Sequence, residues 1–176
     1  RNPLVLERYQ LEQRGEVLAK GRSVGERLGQ GPARVIRSAA DLEQLQQGDV
    51  LVTEMTDPDW EPVMKRAAAV VTDRGGRTCH AAIVSRELGI PCVVGTGNAT
   101  AVLQPGELVT ASCAEGETGV VFDGILAFER DEIDVREAPA TRTKILVNVG
   151  DPDQAFALSF LPVDGVGLAR EEFIIM

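Results

Sequence analysis

The 176-residue chain carries 27 acidic against 18 basic side chains, a net charge of −9, and a surface so acidic repels phosphodiester backbones and anionic lipid, which argues against nucleic-acid and membrane partners. Its 44% hydrophobic content is enough to bury a core, no run of about 18 apolar residues is available to cross a bilayer, and no apolar h-region marks a secretory leader. Three scattered cysteines, Cys79, Cys92 and Cys113, beside a single histidine predict neither a disulfide framework nor a Cys/His zinc site, and fit a reducing, cytoplasmic setting.

In chain order, residues 1–15 are polar with weak helical periodicity and read as a linker. The next twenty alternate short apolar runs with Gly15, Gly21, Gly25, Gly29 and Gly31, a pattern of short strands and tight turns. No lysine–serine/threonine pair follows these glycines, so they do not form a Walker loop. Residues 40–47 predict a short helix with Asp41 near its start, and residues 50–53 (VLVT) a buried strand. Asp57 as N-cap and Pro58 at the first helical position open a helix that carries Trp60, Val63 and Met64 as far as Arg66. Residues 68–72 predict a strand, residues 79–88 a helix, and residues 91–94 another strand. This alternation is that of an α/β layer with at least partly parallel strands.

Past Gly95 the helices are expected to stop. Residues 100–124 hold apolar runs broken by Pro105-Gly106 and by EGETG, which predicts a hairpin or meander. The fold class is therefore α/β, with β-rich segments flanking the layer at both ends. Residues 129–143, charged and then rich in Pro, Ala and Thr, read as an inter-domain linker. Residues 144–149, a helix from Asp151-Pro152 to about Leu161, and residues 165–169 read as one β-α-β unit opening a second α/β domain. Arg1 in place of methionine and the apolar finish EEFIIM lead to the expectation that both ends are cuts in a longer polypeptide.

The only histidine, His80, lies in residues 72–95, TDRGGRTCHAAIVSRELGIPCVVG. Thr78 reads as the N-cap of its helix, Gly89 as the residue just past its end, and Pro91 prevents continuation. Ile83, Val84 and Leu88 form the expected apolar stripe. Free N–H groups and the positive end of the macrodipole make such a helix start a favourable place for an anion. The same field disfavours imidazolium, and a neutral ring keeps a lone pair for nucleophilic attack. Arg77 is placed to hold a captured phosphoryl group, and Gly75 and Gly76 leave room for a phosphate chain to approach. The residues alone also allow a plainer reading, with His80 as a cap or half-buried packing residue beside Ile83 and Val84, and Arg77 as a solvated charge. A Cys79–His80 dyad is disfavoured because adjacent helical residues point about 100° apart. A set built from Ser85, His80 and an aspartate lacks the GxSxG elbow.

The run GGRTCHAAIVSRELGIPCVVG resembles the phosphohistidine signature of the PEP-utilising enzymes, a family that includes phosphoenolpyruvate synthase, pyruvate phosphate dikinase and enzyme I of the sugar phosphotransferase system. Cys79 before the histidine, and the RELGIP continuation, are most similar to the synthase branch; the other two typically have serine at that place. QPGELVTASCAEGETGVVF resembles the family's hairpin after the histidine helix, and KILVNVGDPDQAF and GVGLAREEFI resemble the start of its C-terminal PEP/pyruvate-binding (β/α)8 barrel. The resemblance implies a linker over 1–15, a swivelling β/β/α phosphohistidine domain over 16–128, a linker over 129–143, and the truncated first β-α-β of the barrel over 144–176.

By the same resemblance, His80 is the phosphocarrier. It would take the β-phosphate of ATP from an ATP-grasp-like domain of the same polypeptide and pass it to pyruvate at the barrel, giving AMP, phosphate and PEP. Gly75, Gly76, Arg77, Thr78 and Cys79 would support the phosphate. ATP and Mg2+ would be held by domains outside these residues, with no metal site within them. Arg170, on the family's GxGLxRxEF motif, would bind the PEP phosphate. Thr78 matches the threonine that a bifunctional kinase/pyrophosphorylase regulator modifies in some synthases, where an added phosphate would crowd His80 with like charge; a plain N-cap fits it equally. Dikinase chemistry, an enzyme I-like phosphorelay and a non-catalytic interaction domain are the alternatives, and these residues by themselves are not expected to complete the reaction.

Overall fold

The computed structural model describes residues 5–137, 139, 141–149, 155 and 158–169. They fall into two compact units, one of residues 8–130 and one joining residues 5–7 to the described residues from 131 onward. The first strand, β1 (Val5–Leu11), precedes seven that close into a barrel: β2 (Val17–Val24), β3 (Leu28–Val35), β4 (Val50–Thr53), β5 (Ala69–Thr72), β6 (Cys92–Val94), β7 (Leu108–Ser112) and β8 (Thr118–Asp123). Around the barrel the order is β2-β6-β5-β4-β3-β7-β8. The neighbours β3–β4, β4–β5 and β5–β6 run parallel, and the other pairs antiparallel. The expected α/β layer is thus the parallel half of a barrel, and the β-rich flanks are its antiparallel half.

Alternation along the strands explains this closure. Ala19, Ala33, Val50, Val52, Ala69, Val71, Val93, Val109, Ala111 and Val121 pack into one buried cluster. All seven barrel strands contribute to it, so it is the barrel interior. The alternate positions Leu51, Val70, Cys92 and Val94 face outward, under Trp60, Met64, Ala81, Ala82 and Val84. Strands buried on both faces read as unbroken apolar runs, which is why residues 50–53, 68–72 and 91–94 are recognisable from sequence alone. Helices α1 (Glu61–Met64) and α2 (His80–Leu88) cover the outer face, and α3 (Ala99–Val102) lends Ala99 to the interior. The helix expected from Pro58 begins as a 3-10 turn, Pro58–Trp60, capped as anticipated by the Asp57 side chain, which accepts from the Asp59 N–H at 3.0 Å.

Four expectations need correction. The glycine-punctuated stretch is not a series of short strands and turns, but two eight-residue strands, with Gly21, Gly29 and Gly31 inside them. Their role is close approach: a Cβ on Gly29 would stand 2.1 Å from the Ala68 carbonyl oxygen, and one on Gly31 2.1 Å from that of Gly48. Helices do not stop at Gly95, since α3 follows it before the hairpin of β7 and β8. Residues 1–15 and 129–143 are not plain linkers, because β1 pairs with β9 (Phe128–Asp134) and a 3-10 turn, Val135–Glu137, follows. Tyr9 packs on Phe128 with ring centroids 5.8 Å apart. Strand β9 (FERDEID) escaped detection because it is exposed along nearly its whole length, and a strand with no buried face has no period of two to read.

In the second unit β10 (Leu146–Val149) pairs parallel with β11 (Gly165–Ala169), and Ala155 and Leu158 between them are helical. Asp151-Pro152 lies outside the described residues. All three cysteines are free thiols. Burial pushes the Cys92 thiol up to about 12 and raises that of Cys113, whose Sγ donates to the Cys92 carbonyl at 3.2 Å.

Two outcomes are expected. Gly31→Ala should lose about 3 kcal/mol in urea denaturation, because a methyl group meets rigid backbone; Gly76→Ala, where a Cβ meets nothing within 4 Å, should stay within about 0.5 kcal/mol. The stabilising effect of the protonated Cys92 is fully present below the ordinary thiol value of 9.0. It is lost as pH rises towards the folded value, since the unfolded thiol then releases its proton first. Melting temperature should therefore fall less steeply between about pH 8 and pH 10.5 in Cys92→Val than in the wild type.

Candidate functional site

The site forms where β4 and β5 leave the barrel together. Beyond the paired strands the Asp73 N–H donates to the Thr53 carbonyl at 3.1 Å and the Arg74 N–H to that of Glu54 at 2.9 Å. Arg74 also pairs with the Glu54 carboxylate at 2.9 Å. Two loops thus emerge side by side at the carboxyl edge of parallel strands, the edge where open α/β sheets bind ligands. Asp73 anchors the second loop: its carboxylate accepts from the Thr96 hydroxyl at 2.9 Å and from the Thr100 N–H at 3.3 Å, and also from the Thr100 hydroxyl.

After this anchor the chain turns tightly. Gly75 has φ of +110°, and a Cβ there would stand 2.7 Å from the Cys79 sulfur, so glycine is required. The Cys79 N–H donates to the Gly76 carbonyl at 3.1 Å, leaving Arg77 and Thr78 exposed at the centre of a turn. Helix α2 therefore starts one residue later than its sequence suggests. Thr78 is not its N-cap; Cys79 holds that position, and its side chain makes no capping bond. The cause is the turn itself, which carries the Thr78 hydroxyl out to solvent. At the other end Gly89 closes the helix with φ of +68°, as expected. With no cap, the N–H groups of His80, Ala81 and Ala82 have no acceptor among the described residues, and free donors at a helix start favour an anion.

His80 itself is half-buried, with Nδ1 2.9 Å from the Oγ1 of Thr56. Thr56 is 7% exposed, on the loop that follows β4. Sequence reasoning missed it, because no motif surrounds it and only the parallel pairing of β4 with β5 brings it within reach of residue 80. A hydroxyl can accept or donate. When it accepts from Nδ1–H, the ring is locked in the tautomer whose Nε2 bears the lone pair. The packing face of α2 also differs from the expected stripe: Ala81, Ala82, Val84 and Ser85 are buried, whereas Ile83 is 46% exposed. His80 therefore does not share a packed face with Ile83. Ser85 is fully buried, which removes it as a nucleophile.

Arg77 points its Nη1 at the Glu117 carboxylate, 3.3 Å away. Glu117 lies in the connection between β7 and β8. Arg170 lies outside the described residues. Among the described residues no three His, Cys, Asp or Glu side chains converge to hold a metal ion, and no helix is long and apolar enough to cross a membrane.

Comparison with known proteins agrees with this geometry. Residues 45–116, which include both Thr56 and His80, match the family described as PEP-utilising enzyme, mobile domain. The chain is 59% identical over 171 residues to phosphoenolpyruvate synthase of Pseudomonas aeruginosa (strain UCBPP-PA14), covering 97% of this chain and 22% of that protein. It is 58% identical over 170 residues to the synthase of Deinococcus radiodurans, and 55% identical over 171 residues to that of Escherichia coli (strain K12), again with 97% of this chain and 22% of each relative covered. The chain thus spans 22% of the length of these curated relatives. A solution structure of enzyme I overlaps 46% of this chain and 33% of its own at 38% identity and a TM-score of 0.39. The matched stretch runs through the histidine helix into the β7–β8 connection, so residues 45–116 resemble the mobile domain of PEP-utilising enzymes, and the chain is a sequence relative of phosphoenolpyruvate synthases.

Proposed function

We propose that this chain is the phosphoryl-carrier part of a phosphoenolpyruvate synthase and that Nε2 of His80 is the atom that takes and gives the phosphoryl group. The 2.9 Å contact between Thr56 and Nδ1 carries the proposal, because it occupies one ring nitrogen and leaves the other for chemistry. The Nε2 lone pair attacks the phosphorus of the donor, and an N–P bond forms as the bond to the leaving oxygen breaks. The N–H groups of residues 80–82, without an acceptor among the described residues, and the helix dipole would favour the charge gathered on the phosphoryl oxygens. The ring, cationic after attack, is neutralised by loss of the Nδ1 proton to solvent, and the Thr56 hydroxyl then reverses its role and donates to Nδ1. Attack by the enolate oxygen of pyruvate on the same phosphorus returns the electron pair to Nε2 as Nδ1 takes a proton back from solvent and again donates to Thr56. Dividing the reaction through a covalent intermediate lets two distant sites share one phosphate.

The complete reaction on this reading converts ATP, pyruvate and water to AMP, PEP and phosphate. An ATP-grasp-like domain elsewhere on the polypeptide would hold the nucleotide and supply the β-phosphoryl group as AMP leaves, water would release the γ-phosphate as phosphate, and Mg2+ would be held by domains outside these residues. Residues 16–128 act as the mobile domain and residues 144–176 begin the PEP/pyruvate barrel; the parallel pairing of β10 and β11 supports the latter, and Arg170 would meet the PEP phosphate there. Thr78, exposed in its turn, presents its hydroxyl to a kinase/pyrophosphorylase regulator. A phosphate there would set like charge beside the carrier. Three free thiols support a cytoplasmic setting.

The test uses the full-length polypeptide, ATP labelled in its β-phosphate, and no pyruvate. Acid-labile, base-stable label should appear on His80, vanish in His80→Ala, and pass into PEP when pyruvate is added. Label that persists in His80→Ala would end the proposal. Thr56→Val should slow labelling about tenfold, the worth of one orienting hydrogen bond, while Thr56→Ser should restore most of the rate; equal rates for the two variants would remove Thr56 from the mechanism.

A further inference from the structure

Arg77 stands three residues before His80, yet its guanidinium is committed to a carboxylate on a different part of the barrel. Among the described residues its one partner is Glu117, with Nη1 to Oε1 at 3.3 Å. Glu117 has a second arginine at hand, with Arg22 Nη1 3.9 Å from its other oxygen, Oε2. We infer that Glu117 is a positioning residue: it holds Arg77 while His80 is bare, releases it to the phosphoryl group once His80 is charged, and remains on Arg22. The inference rests on the reading of His80 as phosphoryl acceptor.

Four features of the site carry it. The Arg77–Glu117 contact is long for a charge-assisted bond and lies between side chains 42% and 76% exposed, so it is cheap to break. A phosphoryl group offers a guanidinium two charged oxygens in a bidentate geometry, a better partner than one carboxylate oxygen at that distance. Loss of Arg77 does not strand Glu117, because Arg22 stays within ion-pair distance. The backbone also has room to follow. Arg77 occupies the centre of the Gly76–Cys79 turn, and the space where a Gly76 Cβ would point is open. The exchange is useful to a carrier, which must both accept and surrender its cargo: a competing carboxylate keeps the grip on phosphate from becoming too tight.

The experiment needs no other domain. The 176-residue chain is treated with phosphoramidate and followed by phosphorus NMR. In the reaction Nε2 of His80 attacks phosphorus, the P–N bond of the reagent breaks, and ammonia leaves and takes up the Nδ1 proton as ammonium. Wild type, Glu117→Gln, Arg77→Ala and the double variant are compared, with His80→Ala as the blank. Glu117→Gln should speed phosphorylation about threefold, the scale of an exposed ion pair, and should have no effect in the Arg77→Ala background. The lifetime of the phosphorylated form should shorten in Arg77→Ala and be unchanged in Glu117→Gln, because Glu117 has already let go. The guanidinium resonances of Arg77 should shift on phosphorylation of the wild type, while those of Arg22 stay in place.

Equal acceleration by Glu117→Gln with and without Arg77 would mean that the carboxylate merely repels the anionic reagent, and would overturn the inference. A flat response in all backgrounds would overturn it too. In both cases phosphohistidine at residue 80 would still form and the carrier reading would stand. Absence of acid-labile phosphate on His80 in every variant would overturn both.

Discussion

Parallel pairing of β4 with β5, with Val50 to Thr53 set against Ala69 to Thr72, sends two loops out of the barrel at the same edge and in the same direction. One loop carries Thr56 and the other ends in His80. Antiparallel neighbours would have placed these loops at opposite ends of the barrel, and the 2.9 Å contact between hydroxyl and imidazole would have no way to form. The orientation of the His80 ring is therefore a consequence of sheet topology, and two further bonds from residues 73 and 74 back to residues 53 and 54 carry that register past the strand ends.

The barrel keeps this topology rigid by being narrow. Its interior is lined by alanine and valine, and glycines on β3 bring backbone against backbone where any Cβ would collide. A core packed to this density resists even one added methyl group. Helix α2 rests on the outer face through Ala81, Ala82 and Val84, small side chains that seat its first turn close to the sheet. The stiffness of the barrel thereby reaches His80.

Polar contacts at the site fall into two kinds with different physical character. Thr56 is buried and lies 2.9 Å from Nδ1, so it holds the ring at one angle. Arg77 and Glu117 meet in solvent, where an ion pair is worth between about 0 and 1 kcal/mol, so that contact fixes nothing permanently. The uncapped start of α2 adds a set of backbone N–H donors with no acceptor among the described residues.

Much of this was determined by the sequence itself. Continuous apolar runs announced β4, β5 and β6, because strands buried on both faces leave no alternation to misread. Asp57-Pro58 and Gly89 marked helix ends through local backbone preferences, and the GGRTCH run drew attention to His80 through the chemistry of an imidazole at a helix start. What only the tertiary structure decided is everything that depends on long-range pairing. Closure of two flanking β segments into one barrel with the α/β layer, the placement of Gly29 and Gly31 inside strands, and the pairing of β1 with the exposed β9 are not decided within a local window. The same holds at the site. Thr56 is 24 residues from His80 and Glu117 is 40 from Arg77; neither has a local signature, and each acquires its role only when the sheet brings distant loops together. Even the cap at Cys79 instead of Thr78 was settled by the turn that β5, Asp73 and Gly75 impose, which outweighed the intrinsic preference of threonine for that position.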